Sequence, residues 1–230
     1  MANDSVYGPI FSLDEMFNKM ESQKDTDFWG ITTHPKFNNQ ETGIQLKEHI
    51  QSYFIVFNKN IISSDAFIEY WNSLKQPSNY DEAIEFFELY TTEFYRNKGF
   101  KYASYIKIFT LKEDKPYFYD TIKNLKEERL PFIKRKMFKP NDTGYIEYNI
   151  AGGIHSMLEY IENNTQYNTQ MIYQNIKRLY YNNKTMKNKL LFQYIFYLLK
   201  QLLLPFKWNH YKIKKSKVKE TYELYKKLEK

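Results

Sequence analysis

The 230-residue chain contains no cysteine, which excludes disulfides, thiolate metal sites and cysteine nucleophiles together and fits a reducing compartment. Glycine and proline number only seven each. No glycine stands in a GxGxxG or GxxxxGKS/T spacing, so the common dinucleotide and P-loop fingerprints are absent. Long apolar runs are equally scarce. The longest, Leu190 to Leu204, is broken by Gln193, Lys200 and Gln201 and stopped by Pro205. As a helix it would reach ~22 Å, short of the ~30 Å hydrocarbon core of a bilayer, so it reads as a buried or surface-lying helix. Asn3, Asp4 and Ser5 interrupt the start before any apolar stretch, which argues against a signal peptide. No internal repeat is visible.

Aromatic residues are abundant: 22 Tyr, 18 Phe and 3 Trp make 19% of the chain. With 42% hydrophobic and 27% charged residues the chain can bury a core, so wholesale disorder is excluded. The net charge of +7 is uneven. Residues 184–230 hold 13 Lys against Glu220, Glu223 and Glu229, a local charge of +10, which leaves residues 1–183 at −3. That asymmetry argues against a nucleic-acid-binding core and for a tail that meets an anionic surface.

Ser12 and Glu15 have capping-box spacing ahead of Leu13, Met16, Phe17 and Met20, which predicts a helix over about 12–22. Asp27 to Thr32 reads as a strand ended by a loop at His34-Pro35. Ser52 to Phe57 reads as a buried strand followed by a turn at Asn58-Lys59-Asn60. Ser64 is placed to cap a helix carrying Ala66, Phe67, Tyr70, Trp71 and Leu74 on one face, and Pro77-Ser78-Asn79 ends it. A second helix is expected from Asp81 to Lys98, closed by Gly99, and then a strand over 100–109. Strands interleaved with helices up to residue 110 predict an α/β layer. Helices are expected over 153–162 and 168–181. A carboxylate in the polar opening turn Asn3-Asp4-Ser5 is suited to a divalent ion or a sugar.

Four segments in order resemble the rhamnan synthesis protein F family of bacterial polysaccharide glycosyltransferases: Ala2 to Pro9, Asp27 to Thr32, His49 to Phe57, and Pro131 to Lys136. Ser64 to Trp71 and Glu88 to Tyr102 keep the family's order and spacing, and the likeness covers roughly residues 2–180. The resemblance implies an α/β fold, a partial GT-A-like (Rossmann-like) sheet with flanking helices followed by a mostly helical C-terminal region. It sets expected boundaries at 1–110 for a truncated catalytic portion and 111–183 for its helical continuation, while the basic amphipathic tail, 184–230, is read from its charge and has no such match. It further implies sugar transfer from a nucleotide donor such as dTDP-rhamnose onto a cell-surface polysaccharide or lipid-linked glycan.

On that likeness, Asn3, Asp4 and Ser5 face the donor diphosphate, with Asp4 the one carboxylate able to hold Mn²⁺ or Mg²⁺. Trp29, His49, Gln51 and Ser52 lie on the acceptor side. Glu88 is the candidate base that takes the acceptor's proton. Lys134 and Arg135 suit a diphosphate leaving group, one as a point charge and the other as a planar fork. Plainer alternatives stay open: a frayed N-terminal turn, His49 and Gln51 closing a loop, Glu88 on a solvated face with Glu82, Glu85 and Glu93, and a cationic surface turn after Pro131. His34 and His155 read as structural.

Only Met1 and Ala2 precede the acidic turn, so the nucleotide-binding half is expected from a longer enzyme or a partner. The competing expectation is a non-enzymatic interaction module that keeps only the acceptor face. The tail places the protein in the cytoplasm, peripheral at the inner face of the membrane, with no nucleic-acid partner.

Overall fold

The computed structural model describes residues 1–38, 45–107, 121–139, 153–181 and Lys227. The fold is mixed α/β. The chain forms two compact units, the first from Met1–Val6, Ser12–Tyr117 and Lys123–Pro131, the second from Tyr7–Phe11, Phe118–Ile122 and Phe132–Lys230. In chain order the strands are β1 (Val6–Tyr7), β2 (Phe28–His34), β3 (Phe37–Asn38), β4 (Gln45–Leu46), β5 (His49–Ile50), β6 (Ile55–Phe57), β7 (Tyr102–Ile106) and β8 (Ile133–Lys134).

In the first unit β2 is central. All seven of its residues are buried, the mark of a strand covered on both faces. β7 runs parallel to it, with Phe28 opposite Tyr102 and Thr32 opposite Ile106. β6 runs antiparallel to its first half, Phe28 opposite Phe57 and Gly30 opposite Ile55. β5 pairs antiparallel with its far end, Thr33 opposite Ile50 and His34 opposite His49. Residues 1–3 line up beside β6: Ala2 bridges Phe54, the Ile55 N–H donates to the Met1 carbonyl (2.9 Å), and the Met1 amino group donates back to Ile55 (2.8 Å).

Alternation along β2 sends Phe28 and Trp29 to opposite faces. On one face Phe28, Ile50, Ile55, Ile61, Tyr70, Phe94 and Tyr95 form the core, beneath α3 (Asp65–Ser73) and α5 (Tyr90–Asn97). The rings meet at offset and edge-on angles, Phe28 on Tyr95 at 5.5 Å and Tyr95 on Tyr70 at 5.1 Å. Such pairs contribute ~0.5–1.5 kcal/mol each beyond burial. On the other face Trp29 packs edge-on against Phe17 of α1 (Leu13–Glu21) at 5.4 Å. The abundance of aromatic residues is thus spent on a stacked core.

Local signals account for several ends. Gly99, at φ +89°, closes α5 in the left-handed conformation. Its N–H donates to Arg96 and that of Phe100 to Tyr95, both at 3.0 Å, while the Phe100 and Tyr95 rings touch. This is the paired hydrogen-bond closure that glycine favours.

Elsewhere the structure departs from expectation. The Ser12 hydroxyl caps α1 from the Asp14 N–H, but Glu15 reaches Arg129 (2.6 Å) instead of closing a capping box. β2 continues through His34. Asn58 to Asn60 leads into a short helix, α2 (Lys59–Ile62). Ser64 precedes α3 without capping it, because its hydroxyl donates to Ile61. The expected strand over 52–57 begins only at Ile55. The expected helix over 81–98 is three pieces: α4 (Tyr80–Ala83), a π-helical stretch Ile84–Leu89, and α5.

In the second unit Tyr7 lies edge-on to Phe138 (5.5 Å) and donates to Asn175 (2.8 Å). Helices Gly153–Asn164 and Gln170–Ile176 supply its buried Met157, Leu158, Ile161, Ile172 and Ile176. Glu162 accepts from Tyr173 (2.8 Å), Thr169 and Lys227 (both 3.1 Å). Burial alone would raise its carboxyl, but these hydrogen bonds hold it below the usual range. No helix among the described residues is long and apolar enough to cross a membrane. Leu190 to Leu204 and, apart from Lys227, the rest of the basic tail lie outside the described residues.

Candidate functional site

Two irregularities in the first unit meet at one carboxylate. The first is a bulge. Between the β5 and β6 pairings, the four residues Gln51 to Phe54 stand against only Ile31 and Thr32 of β2. Such a bulge interrupts the ladder and re-aims side chains. Gln51 stays tied to β2: its N–H donates to the Thr32 carbonyl (3.0 Å) and its side-chain oxygen accepts from the Thr32 hydroxyl (2.8 Å). With that hydrogen committed, the Tyr53 hydroxyl donates to Thr32 Oγ1, also at 2.8 Å. Ser52 is left outside the ladder and turns to the helical layer.

The second irregularity is the π-helical stretch Ile84–Leu89, which carries Glu88. Wider helical turns of this kind recur at functional sites. Glu88 Oε2 accepts from both the Ser52 N–H (3.2 Å) and the Ser52 hydroxyl (2.8 Å). Its other oxygen, Oε1, lies 3.5 Å from His49 Nε2. The carboxylate is 18% exposed, the imidazole 3%. His49 Nδ1 is 2.7 Å from the Lys47 carbonyl, which can only accept, so Nδ1 carries the hydrogen and Nε2 is turned to Glu88. Protonated, His49 is an ion-pair donor to Glu88.

His34 stacks parallel on His49, with centroids 5.1 Å apart and planes within 7°. Its own Nδ1 lies 2.7 Å from the Pro35 carbonyl. The Ile50 N–H donates to Thr92 Oγ1 (2.9 Å), tying β5 to α5 beside the site.

The opening turn adjoins the bulge, because the Asn3 N–H donates to the Tyr53 carbonyl (3.1 Å). Asn3 Oδ1 accepts from the Ser5 N–H (3.0 Å) and hydroxyl (2.6 Å), which folds the turn and presents Asp4 at the surface. The amide oxygen is thereby engaged and Asp4 is the one carboxylate of the turn, so a divalent ion there would take most of its ligands from a bound diphosphate. Among the described residues no group of three or more His, Asp or Glu is arranged to hold a metal.

The structure therefore brings His49, Gln51, Ser52 and Glu88 together, with Asn3 one residue's bond away. Trp29 stands apart: it is 2% exposed, between Phe17 and Phe54, and has no face to offer a ligand. Lys134 and Arg135 belong to the second unit. Lys134 ends β8 and Arg135 opens a 3₁₀ turn anchored by buried Met137 and Phe138. Sequence reasoning missed His34 and Thr92. Each follows a buried threonine, Thr33 or Thr91, so a polar residue next to a strand or helix core was the available signal.

The description rhamnan synthesis protein F matches residues 1–219. An uncharacterized protein of Sinorhizobium fredii, y4gN, is 26% identical over 102 residues, which is 44% of this chain and 25% of the relative. The chain spans about a quarter of the length of that relative. No solved structure matches. The match of residues 1–219 takes in every element of the site described above, and on it the chain belongs to the rhamnan synthesis protein F family.

Proposed function

We propose that this chain carries the acceptor side of a glycosyl-transfer site, rhamnosyltransferase-like, that extends a polysaccharide or lipid-linked glycan. The observation that supports this reading is Glu88, held by Ser52 and His49 at a bulge that also anchors the Asn3–Ser5 turn. In the transfer, the acceptor hydroxyl oxygen bonds to the anomeric carbon of a nucleotide-diphosphate sugar such as dTDP-rhamnose. The bond from that carbon to phosphate breaks and its electron pair leaves on the diphosphate, while the hydroxyl proton passes to Glu88. Ser52 fixes the orientation of the carboxylate, and His49 Nε2 faces its other oxygen. Asp4 is the proposed contact for donor phosphate or for a divalent ion, Mn²⁺ or Mg²⁺, bound with it. Lys134 and Arg135 match a diphosphate in charge.

Glu88→Gln, nearly isosteric but unable to take a proton, should lower transfer from dTDP-rhamnose to a rhamnan oligosaccharide by ~10²–10⁴-fold while donor affinity holds. Unchanged transfer would remove Glu88 from the chemistry. The runner-up is an interaction module without donor chemistry that keeps only the acceptor face. Calorimetry with dTDP-rhamnose, with and without Mn²⁺, separates the two, since only a transferase binds the donor. The basic tail is proposed to hold the protein at an anionic membrane face. Binding to phosphatidylserine vesicles should fall steeply with added salt and vanish on removal of residues 184–230.

A further inference from the structure

Beside His49 the first unit opens a cleft of about 280 Å³ between β4–β5 and the helical segment from the π-helical turn through α5. This is near the lower end of small-molecule sites (~300–1,000 Å³). Glu48, Glu85 and Glu93 face it, and so do Lys47 and Arg96. Carboxylates and cations alternate, leaving no strong field of either sign for a phosphate or a nucleotide. Lys47 is ion-paired with Glu93, and Glu48 accepts from the Tyr102 hydroxyl (2.8 Å). The side chains of Glu85 and Arg96 make no hydrogen bond or ion pair among the described residues, and both residues are exposed. Tyr90 also lines the cleft and is braced for it, stacked on Tyr70 at 5.8 Å with its hydroxyl 3.2 Å from Ser73 Oγ.

We propose that this cleft binds one pyranose ring of the acceptor glycan, in a subsite distinct from the ring that reacts. An uncharged polyol needs what the cleft supplies: a carboxylate and a guanidinium to chelate neighbouring hydroxyls, and an aromatic face for the C–H side of the ring. Glu85 and Arg96 are the binding pair and Tyr90 is the platform. His49 lines the cleft and also faces Glu88, which sets the cleft beside that carboxylate. The inference rests on the transfer reading and adds to it a place for the growing chain.

The test is saturation-transfer NMR of the full chain with a synthetic rhamnose trisaccharide, with calorimetry against dTDP-rhamnose in parallel. Glu85→Gln and Arg96→Met should each weaken trisaccharide binding about tenfold, the loss of one charge-assisted contact, with unchanged circular dichroism and unchanged dTDP-rhamnose affinity. Equal trisaccharide affinity in both variants and the wild type overturns the subsite. If the wild type binds dTDP-rhamnose but no trisaccharide, the subsite falls and the transfer reading stands. If it binds trisaccharide through Glu85 and Arg96 but never the donor, the subsite stands and the transfer reading falls.

Discussion

Phe28 and Trp29, at the start of β2, are packed among aromatic rings, whereas Thr32 and His34, toward its end, are buried beside polar partners. Both ends sit in the same strand at similar depth, yet they serve different purposes. A core needs only volume and shape, and the first half supplies them. Burying hydroxyls and imidazoles costs free energy unless each finds a partner, and here Gln51, Tyr53 and the Pro35 carbonyl provide them. The polar half adds little net stability, but it pins the bulge and with it Ser52 and Glu88. Stability and site organisation are thus divided along a single strand.

Substitutions can test that division. Phe28→Ala, which empties the centre of the ring cluster, should cost ~3–5 kcal/mol in urea unfolding and leave little folded protein. Thr32→Val keeps the shape but strands the Gln51 oxygen and the Tyr53 hydroxyl, so a smaller loss of ~1–3 kcal/mol is expected. If the two halves differ as described, Thr32→Val should reduce sugar transfer in protein that remains folded, with the kinetics measured well below the unfolding midpoint. Tyr95→Phe should do least. The Tyr95 hydroxyl is buried without a hydrogen-bond partner among the described residues, and burial pushes its pKa up. Removing it should change stability by under ~0.5 kcal/mol or raise it slightly, as thermal melts would show. A large loss there would mean that the aromatic half hides a polar requirement of its own.

What the sequence made legible follows the range of the forces involved. The Phe28 to Thr32 strand, α3, and the Gly99 stop were readable because β-branched runs, helical spacing and a lone glycine after a helix are local signals. The bulge at Gln51 to Phe54 was not, since it exists only in register with β2; within the segment, the run from Ser52 to Phe57 looks like unbroken strand. The π-helical turn was equally hidden, because one shifted hydrogen bond leaves the apolar spacing of Ile84, Phe87 and Leu89 intact. His34 looked like the edge of a loop until pairing set it against His49, fifteen residues away along the chain. Glu88, His49 and Ser52 could be named separately from family resemblance. Their meeting around one carboxylate depends on those two irregularities.

Gly30 shows how narrow the tolerance is. A methyl group built there would lie 2.2 Å from Ile50 Cγ2 and 2.9 Å from the Phe54 carbonyl oxygen. The residues it would strike flank the Gln51 to Phe54 insertion on both sides. A bare backbone at this single position therefore works as a spacer of zero thickness, drawing both shoulders of the insertion down onto the central strand. Even the smallest side chain would have to push the Ile50 methyl and the Phe54 carbonyl aside, so the seating of the insertion is set from beneath by an atom that is not there.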